Sequence, residues 1–124
     1  MFWSNRKREE TQQSIDWLSL KSIDQITRIT KESQKQPVII FKHSTRCSIS
    51  SMVLNRLENS WTPELNRYKT YYLDLITFRE ISNQIASEFG IAHESPQLLI
   101  VKDGEVIYHA SHMAIDISSI TKLL

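Results

Sequence analysis

The chain contains one cysteine, Cys47, and its neighbours are Ser44, Thr45, Arg46, Ser48, Ser50 and Ser51. A free cysteine is most often a small buried apolar residue. A flank of hydroxyls and a guanidinium does not fit that use and favours a reactive thiol. Arg46 sets a permanent cation beside the sulfur, Ser50 offers a hydroxyl three residues on, and His43 lies four residues before it. Arg46, Ser50 and His43 are therefore the candidates for tuning a thiolate, although a purely structural hydrogen bond is an equal alternative for His43. Spacing removes several chemistries. A phosphatase or arsenate-reductase loop needs Arg at the sixth position after the cysteine, where this chain has Val53. A peroxiredoxin needs Pro seven residues before the cysteine; Ser44 matches that family's hydroxyl, but Ile40 stands where the proline should be. His43, His93, His109 and His112 do not combine with Cys47 into a zinc spacing, so no metal is expected. Cys47-Ser48-Ile49-Ser50 has serine where a resolving cysteine would stand, so a dithiol switch within the chain is impossible. A single thiol that exchanges with an external thiol remains.

Such a thiol must be positioned, and the surrounding pattern shows how. Val38-Ile39-Ile40-Phe41 is an uninterrupted apolar run after Pro37, which suits a central strand buried on both faces. Beyond a short polar connection, Ile49, Met52, Val53, Leu57 and Trp61 recur near 3.6-residue spacing and predict a helix starting at Cys47 or Ser48. Cys47 then lies where a strand ends and a helix begins. Unpaired N–H groups and the partial positive charge of a helix N-terminus favour thiolate over thiol. Before the strand, Ser22 with Gln25 reads as a capping box, and Ile23, Ile26 and Ile29 predict a helix to about Ser33. Asp16–Leu20 is either a first strand or a turn. After Pro63, Tyr68–Leu75 reads as a strand; Thr77 with Glu80 repeats the capping box ahead of Ile81, Ile85 and Phe89, and Gly90 is a stop. Gln97–Lys102 and Glu105–Ala110 flank Asp103-Gly104, a type I′ hairpin signal. Asp116 can cap a last helix carrying Ile117, Ile120 and Leu124 inward.

The order βαβαβαββα predicts an α/β protein with a mixed central sheet and helices on both faces, the thioredoxin-like fold. In that fold a cis-proline ahead of the hairpin's first strand lies beside the reactive cysteine, and Ser95-Pro96 occupies that place. Taken alone, Pro96 is an ordinary strand-start proline, since only about 5% of X–Pro bonds are cis.

The rest of the composition sets bounds. A chain of 124 residues and 14.5 kDa fits one domain that folds without disulfides or metal. Residues 1–14 read as a polar tail and 15–124 as the domain. Fifteen Lys and Arg against fourteen Asp and Glu leave a formal +1, which recruits neither nucleic acid nor membrane. The start MFWSNRKREE has no apolar run for a signal peptide or membrane span, and a lone cysteine gives no disulfide framework. A cytoplasmic monomer is the expectation. His109 and His112 receive no role, Trp17 and Trp61 read as packing, and Arg6-Lys7-Arg8 beside Glu9-Glu10 reads as a solvated face.

The string Phe41-Lys42-His43-Ser44-Thr45-Arg46-Cys47-Ser48-Ile49-Ser50 resembles the active-site segment of the monothiol bacilliredoxin C family (YtxJ), thioredoxin-like proteins of bacteria that use bacillithiol. The resemblance runs from Trp17 through Val38–Phe41 and Cys47 to Ser95-Pro96 and the Asp103-Gly104 hairpin. That family commonly has Thr-Cys-Pro-Ile-Ser here; this chain has Arg46 before the cysteine and Ser48 in place of the proline. The resemblance implies a thiol–disulfide oxidoreductase in which Cys47 takes bacillithiol from S-bacillithiolated client proteins. A low-molecular-weight thiol or a reductase would then recycle it. It also implies that Thr45, Arg46, Ser48, Ile49, Ser95 and Pro96 contact bacillithiol, with Arg46 and the helix N-terminus meeting its malate carboxylates. Two rival readings remain. A monothiol glutaredoxin holding an iron–sulfur cluster should show Cys-Gly-Phe-Ser, unlike Cys-Ser-Ile-Ser here. A thioredoxin-fold adaptor with an incidental cysteine is the other.

Overall fold

A computed structural model describes residues 15–124; the expected tail, with Phe2, Trp3 and the Arg6-Lys7-Arg8 run, lies outside the described residues. The chain forms β1 (Trp17–Ser19), α1 (Asp24–Glu32), β2 (Val38–His43), α2 (Ser48–Ser60), β3 (Thr70–Asp74), α3 (Arg79–Phe89), β4 (Gln97–Lys102), β5 (Glu105–Ser111) and α4 (Ile117–Leu123). Short 3₁₀ turns at Pro63–Arg67 and His112–Ala114 complete it. The five strands form one sheet in the order β1-β3-β2-β4-β5. β1 and β2 run parallel to β3, while β4 is antiparallel to β2 and to β5.

Alternation along β2 divides the core. Ile39 and Phe41 pack with Val53, Leu57 and Trp61 of the α2 side and Ile120 of α4. Val38 and Ile40 pack with Ile26 and Ile29 of α1 and with Ile81 and Ile85 of α3. Every residue of β2 is buried, as a strand covered on both faces requires. That burial continues two residues past the apolar run, through Lys42 and His43. The hairpin turn at Asp103-Gly104 has φ of 52° and 78°, the pair of positive values a type I′ turn demands. Gly90 closes α3 in the left-handed region at φ 66°, where a Cβ is disfavoured.

Local details differ from the sequence pattern in instructive ways. The Gln25 side chain accepts from the N–H groups of Lys21 (2.6 Å) and Ser22 (3.0 Å), but the Ser22 hydroxyl makes no reciprocal cap, and α1 starts after Ile23. At α3 the capping box does not form. Asp74 instead ties the turn ahead of the helix, accepting from the N–H groups of Ile76 (3.1 Å) and Thr77 (3.4 Å) and from the Thr77 hydroxyl (2.9 Å). Ile23, Ile49 and Met52 are 46%, 43% and 51% exposed, so three residues of the apolar periodicity face outward. On α2 the buried stripe is Ser50, Val53 and Leu57, with the serine included because its hydroxyl finds buried partners. Asp116 caps α4 as expected, accepting from the Ser119 N–H at 3.3 Å.

Candidate thiol site at the end of the central strand

The joint between β2 and α2 is a tight turn. Its closing bond runs from the Cys47 N–H to the Ser44 carbonyl at 3.2 Å. This places Thr45 and Arg46 at the exposed corner and Cys47 at the N-cap of α2, with φ −107° and ψ 121°. The Cys47 carbonyl accepts the Ser51 N–H at 3.1 Å and so starts the helical ladder. Its thiol is half-buried, and Ser48 and Ile49 beside it are exposed.

Beneath the turn, Ser50 locks the joint. Its hydroxyl accepts the Ser44 N–H at 3.0 Å and shares a hydrogen bond with His43 Nδ1 at 2.7 Å, all in buried surroundings. The His43 ring is stacked with Phe41 (6.0 Å between centroids) and tilted against Tyr72 (5.6 Å). Trp17 extends this cluster, 5.9 Å from Phe41 and 5.6 Å from Tyr72. Burial holds the His43 imidazolium below its ordinary range, partly offset by the charges of Asp74 and Glu58. His43 is thus a neutral ring near pH 7, and with Ser50 it fixes the turn that carries Cys47.

The sheet brings the second segment to the same end. Gln97 pairs with Lys42 across the antiparallel β2–β4 ladder, which sets Pro96 level with His43, where β2 leads into the Cys47 turn. The Ser95-Pro96 bond is cis. Pro96 is buried, and its carbonyl accepts the His112 N–H at 3.0 Å. The fold therefore gathers His43, Ser44, Cys47 and Ser50 in one joint, with Thr45, Arg46, Ser48 and Ile49 flanking Cys47 in the chain and exposed, and Ser95-Pro96 at the same sheet end. His109 lies exposed on β5, and His112 on the turn after it has φ of 54°.

Sequence reasoning missed Lys42. It is fully buried on the face opposite His43, with its ammonium 3.3 Å from the Ser82 carbonyl and 3.4 Å from His93 Nδ1. The Ser82 hydroxyl is 3.0 Å from the same nitrogen. Burial, helped by the Arg79 charge, lowers the Lys42 ammonium from 10.5 to about 8. His93 is also lowered, first by burial and then by the charges of Lys42 and Arg79, with Glu94 opposing. A signal was available: a lysine directly after an apolar run that has no exposed face. Among the described residues no His, Cys, Asp and Glu side chains cluster to hold a metal ion, and no helix is long and apolar enough to cross a membrane.

The sequence profile of the family described as Monothiol bacilliredoxin BrxC matches residues 18–120, which span both the thiol joint and the Ser95-Pro96 segment. The chain belongs to the monothiol bacilliredoxin family. A solved thioredoxin-fold protein, itself a candidate oxidoreductase, is 30% identical over 86% of this chain and 91% of its own, with a TM-score of 0.72. Thioredoxin of Malassezia sympodialis is 23% identical over 91% of this chain and 90% of its own, with a TM-score of 0.66. Spinach chloroplast thioredoxin f is 16% identical over 86% and 88%, with a TM-score of 0.63. The latter two share the fold. Bacilliredoxin membership together with this fold supports a thiol redox role for the chain.

Proposed function

We propose that this bacilliredoxin removes bacillithiol from S-bacillithiolated proteins through a mixed disulfide on Cys47. The observation that carries the reading is a solitary, half-exposed cysteine at the N-cap of α2, in a chain of the monothiol bacilliredoxin family. The Cys47 thiolate attacks the bacillithiol sulfur of the client's mixed disulfide. A bond forms between that sulfur and Cys47 Sγ, the client–bacillithiol bond breaks, and the client leaves as a thiolate that takes a proton from water. A low-molecular-weight thiol, or the thiol of a reductase, then attacks the bacillithiol sulfur. Cys47 is released as thiolate, and the second thiol and bacillithiol leave joined as a disulfide. The client is reduced and the second thiol is oxidised, so the electrons balance without a metal.

The residues fit the substrate. The free N–H groups of the first turn of α2 and the exposed Arg46 guanidinium are suited to the malate carboxylates of bacillithiol. Thr45, Ser48 and Ile49 flank Cys47 in the chain, and Ser95-Pro96 lies at the same sheet end, so these complete the proposed contact set. We place the reaction in the cytoplasm with a monomeric enzyme. The test is incubation of an S-bacillithiolated client protein with the wild type and with Cys47→Ser, followed by client mass. Loss of the bacillithiol mass from the client only with the wild type supports the reading; equal loss, or none, with both proteins overturns it.

A further inference from the structure

Lys42 and Gln97 are neighbours on one rung of the β2–β4 ladder and lie on the α1/α3 face of the sheet. Both are essentially fully buried, and each holds a consecutive residue of the segment that leads to Pro96. Gln97 Nε2 donates to the Ala92 carbonyl at 3.0 Å. The Lys42 ammonium reaches His93 Nδ1 at 3.4 Å and the Ser82 carbonyl at 3.3 Å, so one cation bridges this segment to α3. The Ser82 hydroxyl, 3.0 Å from His93 Nδ1, closes the triangle. The ammonium form donates only, so while Lys42 is charged a bond to Nδ1 needs a neutral ring protonated on Nε2. A methionine of similar shape would fill this position without burying a charge. The ionic side chain therefore serves something besides packing.

We infer that Lys42 is a positioning residue for thiol exchange: it clasps His93 against α3 and so holds the 91–96 segment, with Ser95-Pro96, at the sheet end where β2 leads into the Cys47 turn. The inference rests on the proposed function, because a protein client must meet this segment and the thiol together. The clasp acts from the buried face, opposite His43, so it orders the docking edge without touching the sulfur. Groups facing the clasp are Arg79 of α3 and Glu94 of the segment itself, which oppose one another in charge at His93.

Lys42→Met, His93→Leu and His93→Asn provide the test. Three readouts are needed: dethiolation of an S-bacillithiolated protein, alkylation of Cys47 by iodoacetamide, and amide hydrogen exchange across residues 91–97. Lys42→Met and His93→Leu are expected to slow dethiolation about fivefold and to speed amide exchange in 91–97 by a similar factor, the effect of losing long hydrogen bonds around a charged group. Alkylation should stay within about twofold, because the Ser44–Ser50–His43 joint is intact. His93→Asn keeps an acceptor and should recover most of the rate lost in His93→Leu. Parallel loss of alkylation and dethiolation would overturn the inference, since Lys42 would then act on the thiol itself. Unchanged amide exchange in 91–97 would overturn it as well. An active wild type with equally active variants refutes the clasp alone. A wild type that dethiolates no client refutes the bacilliredoxin reading, and the positioning role falls with it.

Discussion

Replacing Lys42 by methionine should stabilise the protein at neutral pH, an unusual outcome for a fully buried position. The ammonium is lowered from 10.5 to about 8 by burial and Arg79, and at about 1.4 kcal/mol per tenfold change in proton affinity the charged form costs the folded state about 3 kcal/mol below pH 8. Methionine removes that cost. It also removes the bonds to the Ser82 carbonyl and His93 Nδ1, worth about 1 kcal/mol together because both acceptors keep other partners or relax. A net gain of about 2 kcal/mol is expected at pH 7. Its pH dependence has a definite sign. Between 8 and 10.5 the unfolded chain binds a proton that the folded chain has released, so wild-type stability from this group rises with pH. The advantage of Lys42→Met should therefore shrink through that window and reverse before its upper end, where the lost bonds outweigh what remains of the charge cost. Urea unfolding of both proteins at pH 7, 9 and 10.5 measures this, and taking their difference cancels the titration of groups that Lys42 does not influence. A variant less stable than wild type at pH 7, or a difference that does not change with pH, would refute the reasoning.

Three other outcomes follow from the site. Ser50→Ala leaves the Ser44 N–H and His43 Nδ1 without their buried partner and should cost about 1–3 kcal/mol in urea unfolding; a neutral effect would mean the hydroxyl does not lock the joint. His43 and His93 both have depressed imidazolium affinities, so the unfolded chain takes up protons first as pH falls below 6.5. Stability should drop on that side, and His43→Phe should flatten the drop, as read from Tm between pH 7 and 5. Arg46→Ala should slow exchange with bacillithiol disulfide by about three- to tenfold in stopped-flow traces, the modest value of an exposed charge-assisted contact.

Much of this architecture was legible because local chemistry and tertiary environment agree. Val38–Phe41 suits a doubly covered strand and is one, Asp103-Gly104 supplies the two positive φ values of its turn, and Gly90 ends α3 in the left-handed region. Cys47 lies at a helix start, as the spacing of Ile49, Met52, Val53, Leu57 and Trp61 predicts. Periodicity could not choose between adjacent stripes of α2, because Ile49 and Met52 repeat as well as Ser50 and Val53 do. Only the partners of Ser50, at His43 and Ser44, show which stripe turns inward. Lys42 was hidden for a related reason. The apolar run ends at Phe41, so the strand seemed to end there, and the partners that make a buried lysine tolerable lie 40 and 51 residues away. The failed capping box at Thr77 reflects competition: Asp74, at the end of β3, takes both the Thr77 N–H and the Thr77 hydroxyl that the box would use.

Intact mass after incubation with oxidised bacillithiol and, separately, oxidised glutathione tests the central claim most directly, with Cys47→Ser alongside. A single bacillithiol adduct is expected on the wild type, reversed by reduced bacillithiol, absent from Cys47→Ser, and formed in preference to a glutathione adduct. No adduct with either disulfide, on a thiol that iodoacetamide still alkylates, would contradict that claim and point to a thioredoxin-fold adaptor.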